Sequence, residues 1–170
     1  MTDNDLQNEF KNIVAAAHLY LKQRGYSKDG TIFRKIVDNN HIIVQFQKSA
    51  SNSPVHISFT VGLAVVSERL ANAHEHERRT AFREADGHVR NRIGTFQAQP
   101  SDRWWTLSST DRADAIIEEL ILLLSNGVDF FEKNASDEAL IALWESGRSP
   151  GLTDIRRKML LAELKVLLST

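Results

Sequence analysis

The stretch VHISFTVGLAV constrains this chain more than any other. Val55, Ile57, Phe59, Val61, Leu63 and Val65 take every second position, and His56, Ser58, Thr60, Gly62 and Ala64 lie between them. A helix needs apolar residues three and four apart, so a sustained period of two specifies a strand. The expectation is a long central strand with its odd face, Val55 included, in the core and its even face made of polar or small residues. Such a strand needs neighbours. TIFRKIV and HIIVQFQKS precede it as β-rich runs joined by Asp38-Asn39-Asn40, which suits a hairpin. GHVRNRIG and RWWTL follow as two short strands separated by the turn Pro100-Ser101-Asp102. These connections are too short for crossover helices, so pairing is antiparallel and the sheet is a meander of about five strands.

Helical spacing governs both ends of the chain. Leu6, Phe10, Ile13, Ala17 and Leu21 make one apolar face from about Asp3 to Arg24, with Gly25 to end it and Asp29-Gly30 as a turn. Ser109-Thr110-Asp111 offers caps for a helix with Ile116, Ile117, Leu120, Leu123 and Leu124, expected to stop at Asn126-Gly127, with Val128 to Lys133 a short helical turn. Ser136 caps a helix carrying Leu140, Leu143 and Trp144. After the break Ser149-Pro150-Gly151, Thr153 caps a last helix with Ile155, Met159, Ala162 and Leu164 on its apolar stripe. Ala71 to Ala85 is charged and reads as helix or ordered loop. A block of strands between an N-terminal helix and a C-terminal group of three to four helices makes this an α+β fold. Its 170 residues fit a single domain, 1–170.

Several function classes are excluded early. The chain has no cysteine, which removes disulfides, thiol catalysis and thiolate metal sites, and fits a cytoplasmic setting. Lys plus Arg is 21 against 22 for Asp plus Glu, so no net field draws the chain to nucleic acid or to an anionic membrane. The opening MTDNDLQNEFKN has no charged-then-apolar leader pattern, and IIEELILLL is far short of a membrane span. No G-x-S-x-G elbow and no glycine-rich phosphate loop is present, so no cofactor is expected.

The candidate sites follow from what is left. AHEHERR sets His74 and His76 beside Glu75 and Glu77, with His88 nearby, a set that suggests zinc and a metal-dependent hydrolase. In a helix or loop, however, His-x-His does not converge, and pairs such as Glu75 with Arg79 make a solvated face; no metal is expected there. Gln45, Gln47 and His41 on one strand and His56, Ser58 and Thr60 on the next form either the outer face of the sheet or a polar groove with a histidine as acid or base. The densest signal is Arg90, Arg92 and Arg103 around Trp104 and Trp105. Adjacent strand residues point to opposite faces, so one indole belongs in the core and the other lies on the second face. If the two short strands pair, an arginine covers that outer indole. This arrangement is a structural cation–π lock, a protein-interface hot spot, or an anion and base-stacking site.

Taken in order, RGY after the first helix, IIVQFQKS, FTVGL, HVRNRIG, DRWW, NGVDFFEK and RSPGLTDIRRKMLLAEL resemble a bacterial family known as domain of unknown function 4304. The likeness runs from about Phe10 to Leu167. It is most specific at Phe46-Gln47-Lys48, at Arg90 and Arg92, and at Asp102-Arg103-Trp104-Trp105. The resemblance implies a shared fold and brings with it no activity and no catalytic residue.

The resulting expectation is a non-enzymatic protein-binding domain, with a toxin-like partner in an immunity-like version. The alternative is nucleic-acid or phosphate-ligand binding through the Arg/Trp surface. The candidate binding residues are Arg90, Arg92, Arg103, Trp104, Trp105, Gln45, Gln47 and His56.

Overall fold

The computed structural model describes residues 3–74, 81–108 and 113–170. Helix α1 (Asp3–Gln23) buries Leu6, Phe10, Ile13, Ala17 and Leu21, then ends at Gly25 with φ of 87°. Three strands follow, β1 (Ser27–Asp29), β2 (Ile32–Val37) and β3 (Asn40–Lys48). Asp38 and Asn39 carry the β2–β3 turn with φ of 50° and 69°, the left-handed pair that matches strand twist in a two-residue hairpin. The centre of the sheet is β4 (Ile57–Val66).

Strands β1 to β4 pair antiparallel in chain order, and β5 (Val89–Arg92) continues the path against Gly62–Val65. The short strand β6 (Trp105–Leu107) does not pair with β5. Both strands lie end to end along the same edge of β4, where β6 takes Ile57–Phe59. The ten-residue β4 is long enough to serve two three- to four-residue partners in succession.

The odd face of β4 lies in the core as expected from Ile57 to Val65. Val55 does not. It precedes the strand in a turn and is 69% exposed, because the alternation continues two residues beyond the backbone pairing. The even face is not simply polar and open. Thr60 and Ala64 are buried, and Ile43, Ala64 and Val66 form a second apolar cluster under Ala71 and Phe82. Helix α2 (Glu68–Ala73), capped by Ser67, runs into the stretch Ala71–Ala85 read as helix or loop, and a 3₁₀ turn at Glu84–Asp86 straddles its end.

Helix α3 (Ala113–Lys133) runs unbroken through Asn126-Gly127. The glycine is there for close packing. A Cβ on Gly127 would sit 3.1 Å from Leu63 and 3.3 Å from Phe96, so the helix can rest on the sheet only where the side chain is missing. The caps expected at 109–111 lie outside the described residues. Ser136 and Thr153 do cap α4 (Asp137–Glu145) and α5 (Asp154–Leu168), accepting from Ala139 N at 3.1 Å and Arg156 N at 3.3 Å. Of the stripe expected on α5, only Leu164 faces the core. Leu160 and Leu164 are buried, while Ile155, Met159 and Ala162 face outward. A helix with two apolar sides does not announce from its own sequence which one meets the core.

Candidate functional site

Residues opposite each other in an antiparallel pair share a face. Gln45 opposes Gly62, Gln47 opposes Thr60, and Arg90 and Arg92 oppose Ala64 and Gly62. The register thus gathers four of the candidate residues on the second face of the sheet. Their organiser is Glu84, a carboxylate only 3% exposed. Arg90 donates from Nε and Nη2 to its two oxygens at 3.0 and 3.1 Å, and Gln47 Nε2 donates at 3.0 Å. The Glu84 amide donates to Gln45 Oε1 at 3.0 Å. Gly62 leaves the room: a Cβ there would stand 2.7 Å from Glu84 Cγ. Glu84 escaped the sequence reading because it sits in the charged stretch whose structure was open. A glycine inside a strand was the available signal for a close approach.

The two tryptophans part as the pleat requires. Trp105 is 2% exposed and stacks on Phe59, ring centroids 5.5 Å apart. Its Nε1 donates to Glu119 Oε2 at 2.8 Å, and Arg103 Nη2 donates to the same oxygen at 2.6 Å. Arg103 also lies over the Trp105 ring, 5.5 Å from its centroid. Burial pushes the Glu119 carboxyl up, but the bonds from Arg103 and Trp105 outweigh it and hold the group below the ordinary carboxylate range. Trp104 is half-buried and lies under Arg92, whose guanidinium is 5.1 Å from its ring centroid. Arg92 Nη1 donates to both oxygens of Asp102 at 3.0 and 3.2 Å, and Trp104 Nε1 donates to Asp102 Oδ2 at 3.2 Å. The arginine covering the outer indole thus arrives without β5 pairing to β6. A cleft of about 300 Å³ adjoins this group, lined by Asn91, Arg92, Thr95 and Asp102 among others.

The histidines do not converge. His56 is exposed in the turn before β4, whereas His41 pairs with Val66 at the far end of that strand. The length of β4 separates them, about 30 Å. His41 Nε2 is 2.8 Å from Glu68 and its ring meets Phe82. His74 Nε2 is 2.7 Å from Glu163 on α5. His88 is buried, and its Nδ1 accepts the Ser67 amide at 3.0 Å. Burial first, with Arg156 and His74 adding to it, lowers the His88 pKa from its ordinary 6.5 to about 4. Glu75, His76, Glu77 and Arg79 lie outside the described residues. Among the described residues, no three His, Asp or Glu side chains group as a metal site would need.

One polar cluster had no sequence signal. Asp137, 8% exposed at the start of α4, accepts from Asn40 Nδ2, Ser67 Oγ and Arg69 Nε at 2.9, 3.0 and 2.9 Å. It forms the floor of a cleft of about 600 Å³ that Glu68, Arg69 and Ser136 also line.

A family model described as domain of unknown function (DUF4304) matches residues 17–133. The chain belongs to this family. The DUF4304 match takes in every strand and α3 together with all eight candidate binding residues, Glu84 and Glu119; it stops short of α4 and α5. It is therefore shorter than the likeness read from Phe10 to Leu167. No curated protein and no solved structure matches the chain. Among the described residues, no helix is long and apolar enough to cross a membrane.

Proposed function

We propose that this chain is a non-enzymatic, cytoplasmic protein-binding domain that works by occluding its partner, as an immunity protein covers a toxin. The immunity-like version rests on analogy with small bacterial domains of this size. The observation that carries the binding reading is the Trp104–Arg92–Asp102 group. An indole and a guanidinium, the residue types most enriched at binding hot spots, are held in one orientation by a shared carboxylate before any partner arrives. Less side-chain entropy is then lost on binding.

The rival reading, a phosphate or nucleic-acid site, fits less well. Each arginine of the candidate surface already has a carboxylate: Arg90 has Glu84, Arg92 has Asp102 and Arg103 has Glu119. A phosphate would have to displace one of them. A metal-dependent hydrolase fits least, since His74 and His88 are engaged with Glu163 and Ser67.

The test compares wild type with Trp104→Ala in quantitative capture from cells that make the protein. A protein enriched by wild type should be lost roughly 30-fold with the variant, the equivalent of about 2 kcal/mol, while melting stays close to wild type. Unchanged capture rejects this surface. Salt-dependent oligonucleotide binding that disappears in Arg92→Ala would replace the reading with its rival.

A further inference from the structure

Helix α5 has a second apolar stripe that nothing among the described residues covers. Ile155, Met159, Ala162 and Val166 follow one another at spacings of four, three and four, and all are exposed: Ile155 at 75%, Met159 at 57% and Val166 at 64%. At 100° per residue they fall within about 60° of arc, some 150° around the helix from Leu160 and Leu164, which bury its inner side. Single exposed apolar residues are ordinary. A heptad-spaced row over about 16 Å is the pattern of a helix seam.

The borders of the row define what can lie on it. Lys158 and Lys165 flank one side, Arg156 and Glu163 the other. The one acid is used internally, since Glu163 bonds His74. Lys165 bonds Glu145 of α4. Arg156 and Lys158 make no ion pair among the described residues, so the uncompensated charge beside the row is positive. A second copy fits badly. Antiparallel two-fold packing sets Lys158 of one copy against Lys165 of the other, and the one attractive partner that either packing supplies, to Arg156 when antiparallel and to Lys158 when parallel, is a Glu163 already bonded to His74. A lipid surface fits badly too, because the row is a single side chain wide and lacks the aromatic residues of interfacial helices.

We propose that the outer face of α5 docks an amphipathic helix of a partner protein whose apolar stripe is bordered by acidic side chains. This surface is independent of the Trp104 group and stands or falls without it.

The experiment titrates the full chain into a fluorescently labelled, four-heptad designed helix with Leu at positions a and d and Glu at e and g. A control peptide carries Lys at e and g. The Glu-flanked peptide should bind with a Kd on the order of micromolar, roughly tenfold or more tighter than the Lys-flanked one. Met159→Asp should weaken it by roughly tenfold or more, and Lys158→Glu by about threefold to fivefold. Both positions face solvent, and unchanged melting of each variant separates lost docking from lost folding. No binding by about 1 mM, equal binding of the two peptides, or binding indifferent to both substitutions overturns the proposal. So does concentration-dependent dimerisation abolished by Met159→Asp, which makes the occupant a second copy. Binding to phosphatidylcholine–phosphatidylserine vesicles abolished by the same change makes it a membrane.

Discussion

Gly62 and Glu84 occupy one space from opposite sides, and a double-mutant cycle can measure it. A methyl on Gly62 would lie 2.7 Å from Glu84 Cγ and 2.9 Å from Cδ, closer than real carbon atoms approach. The glutamate cannot swing aside freely, because Arg90 grips both oxygens and Gln47 holds one. Gly62→Ala must therefore strain the strand or expel the carboxylate. Overpacking costs roughly 1–3 kcal/mol. Charge-assisted bonds to a buried group are each worth roughly 1.5–3 kcal/mol, but Arg90 is 43% exposed and recovers much of that by rehydration. Gly62→Ala should thus destabilise by about 2–3 kcal/mol and Glu84→Ala by about 1–3 kcal/mol. In the double variant the methyl enters vacated space, and the lower entropy of the unfolded chain returns about 0.4–1 kcal/mol. The double variant should then be about 0.4–1 kcal/mol more stable than Glu84→Ala alone, a coupling of about 2.4–4 kcal/mol. Urea denaturation of the four proteins reads this directly. Additivity within about 0.5 kcal/mol would refute the account of Gly62 as the seat of Glu84.

Trp105→Ala should cost roughly 3–5 kcal/mol, because it removes the stack on Phe59 and the N–H on Glu119, whereas Trp104→Ala should cost about 1 kcal/mol; equal losses in thermal melts would contradict the division of the pair. His88, with a pKa near 4 in the fold and an ordinary 6.5 when unfolded, takes up its proton more readily in the unfolded chain. Stability should therefore fall as pH drops from about 6.5 to 4, by roughly 3 kcal/mol from this residue, and His88→Asn should flatten that slope in denaturation series across the window. Gly151→Ala should destabilise by well over the cost of Gly147→Ala, about 1 kcal/mol. Both glycines have positive φ, but a Cβ on Gly151 would also strike the Arg90 carbonyl, while one on Gly147 meets only Arg157 at 3.9 Å. Comparable melting temperatures for the two would count against that contact.

The elements legible in the sequence are those whose signal is local. Heptad-like spacing marks α1, period-two alternation marks β4, and Asp38-Asn39 announces a turn needing left-handed backbone. Ser136 and Thr153 mark helix starts because capping involves only the next turn. The split of Trp104 from Trp105 was legible for the same reason, since the pleat acts on neighbours. What the tertiary structure alone decided are matters of who meets whom. Gly127 reads as a helix stop until Leu63 and Phe96 press against it, and the two apolar sides of α5 are ambiguous until one of them finds the core. That β5 and β6 share one edge of β4, and that Glu84 drops onto Gly62 to gather Gln45, Gln47 and Arg90, depend on contacts between segments distant in the chain. Local patterns carry backbone preference and amphipathicity. The choice among faces and edges is made by long-range packing, where burying one stripe or one carboxylate excludes the alternatives.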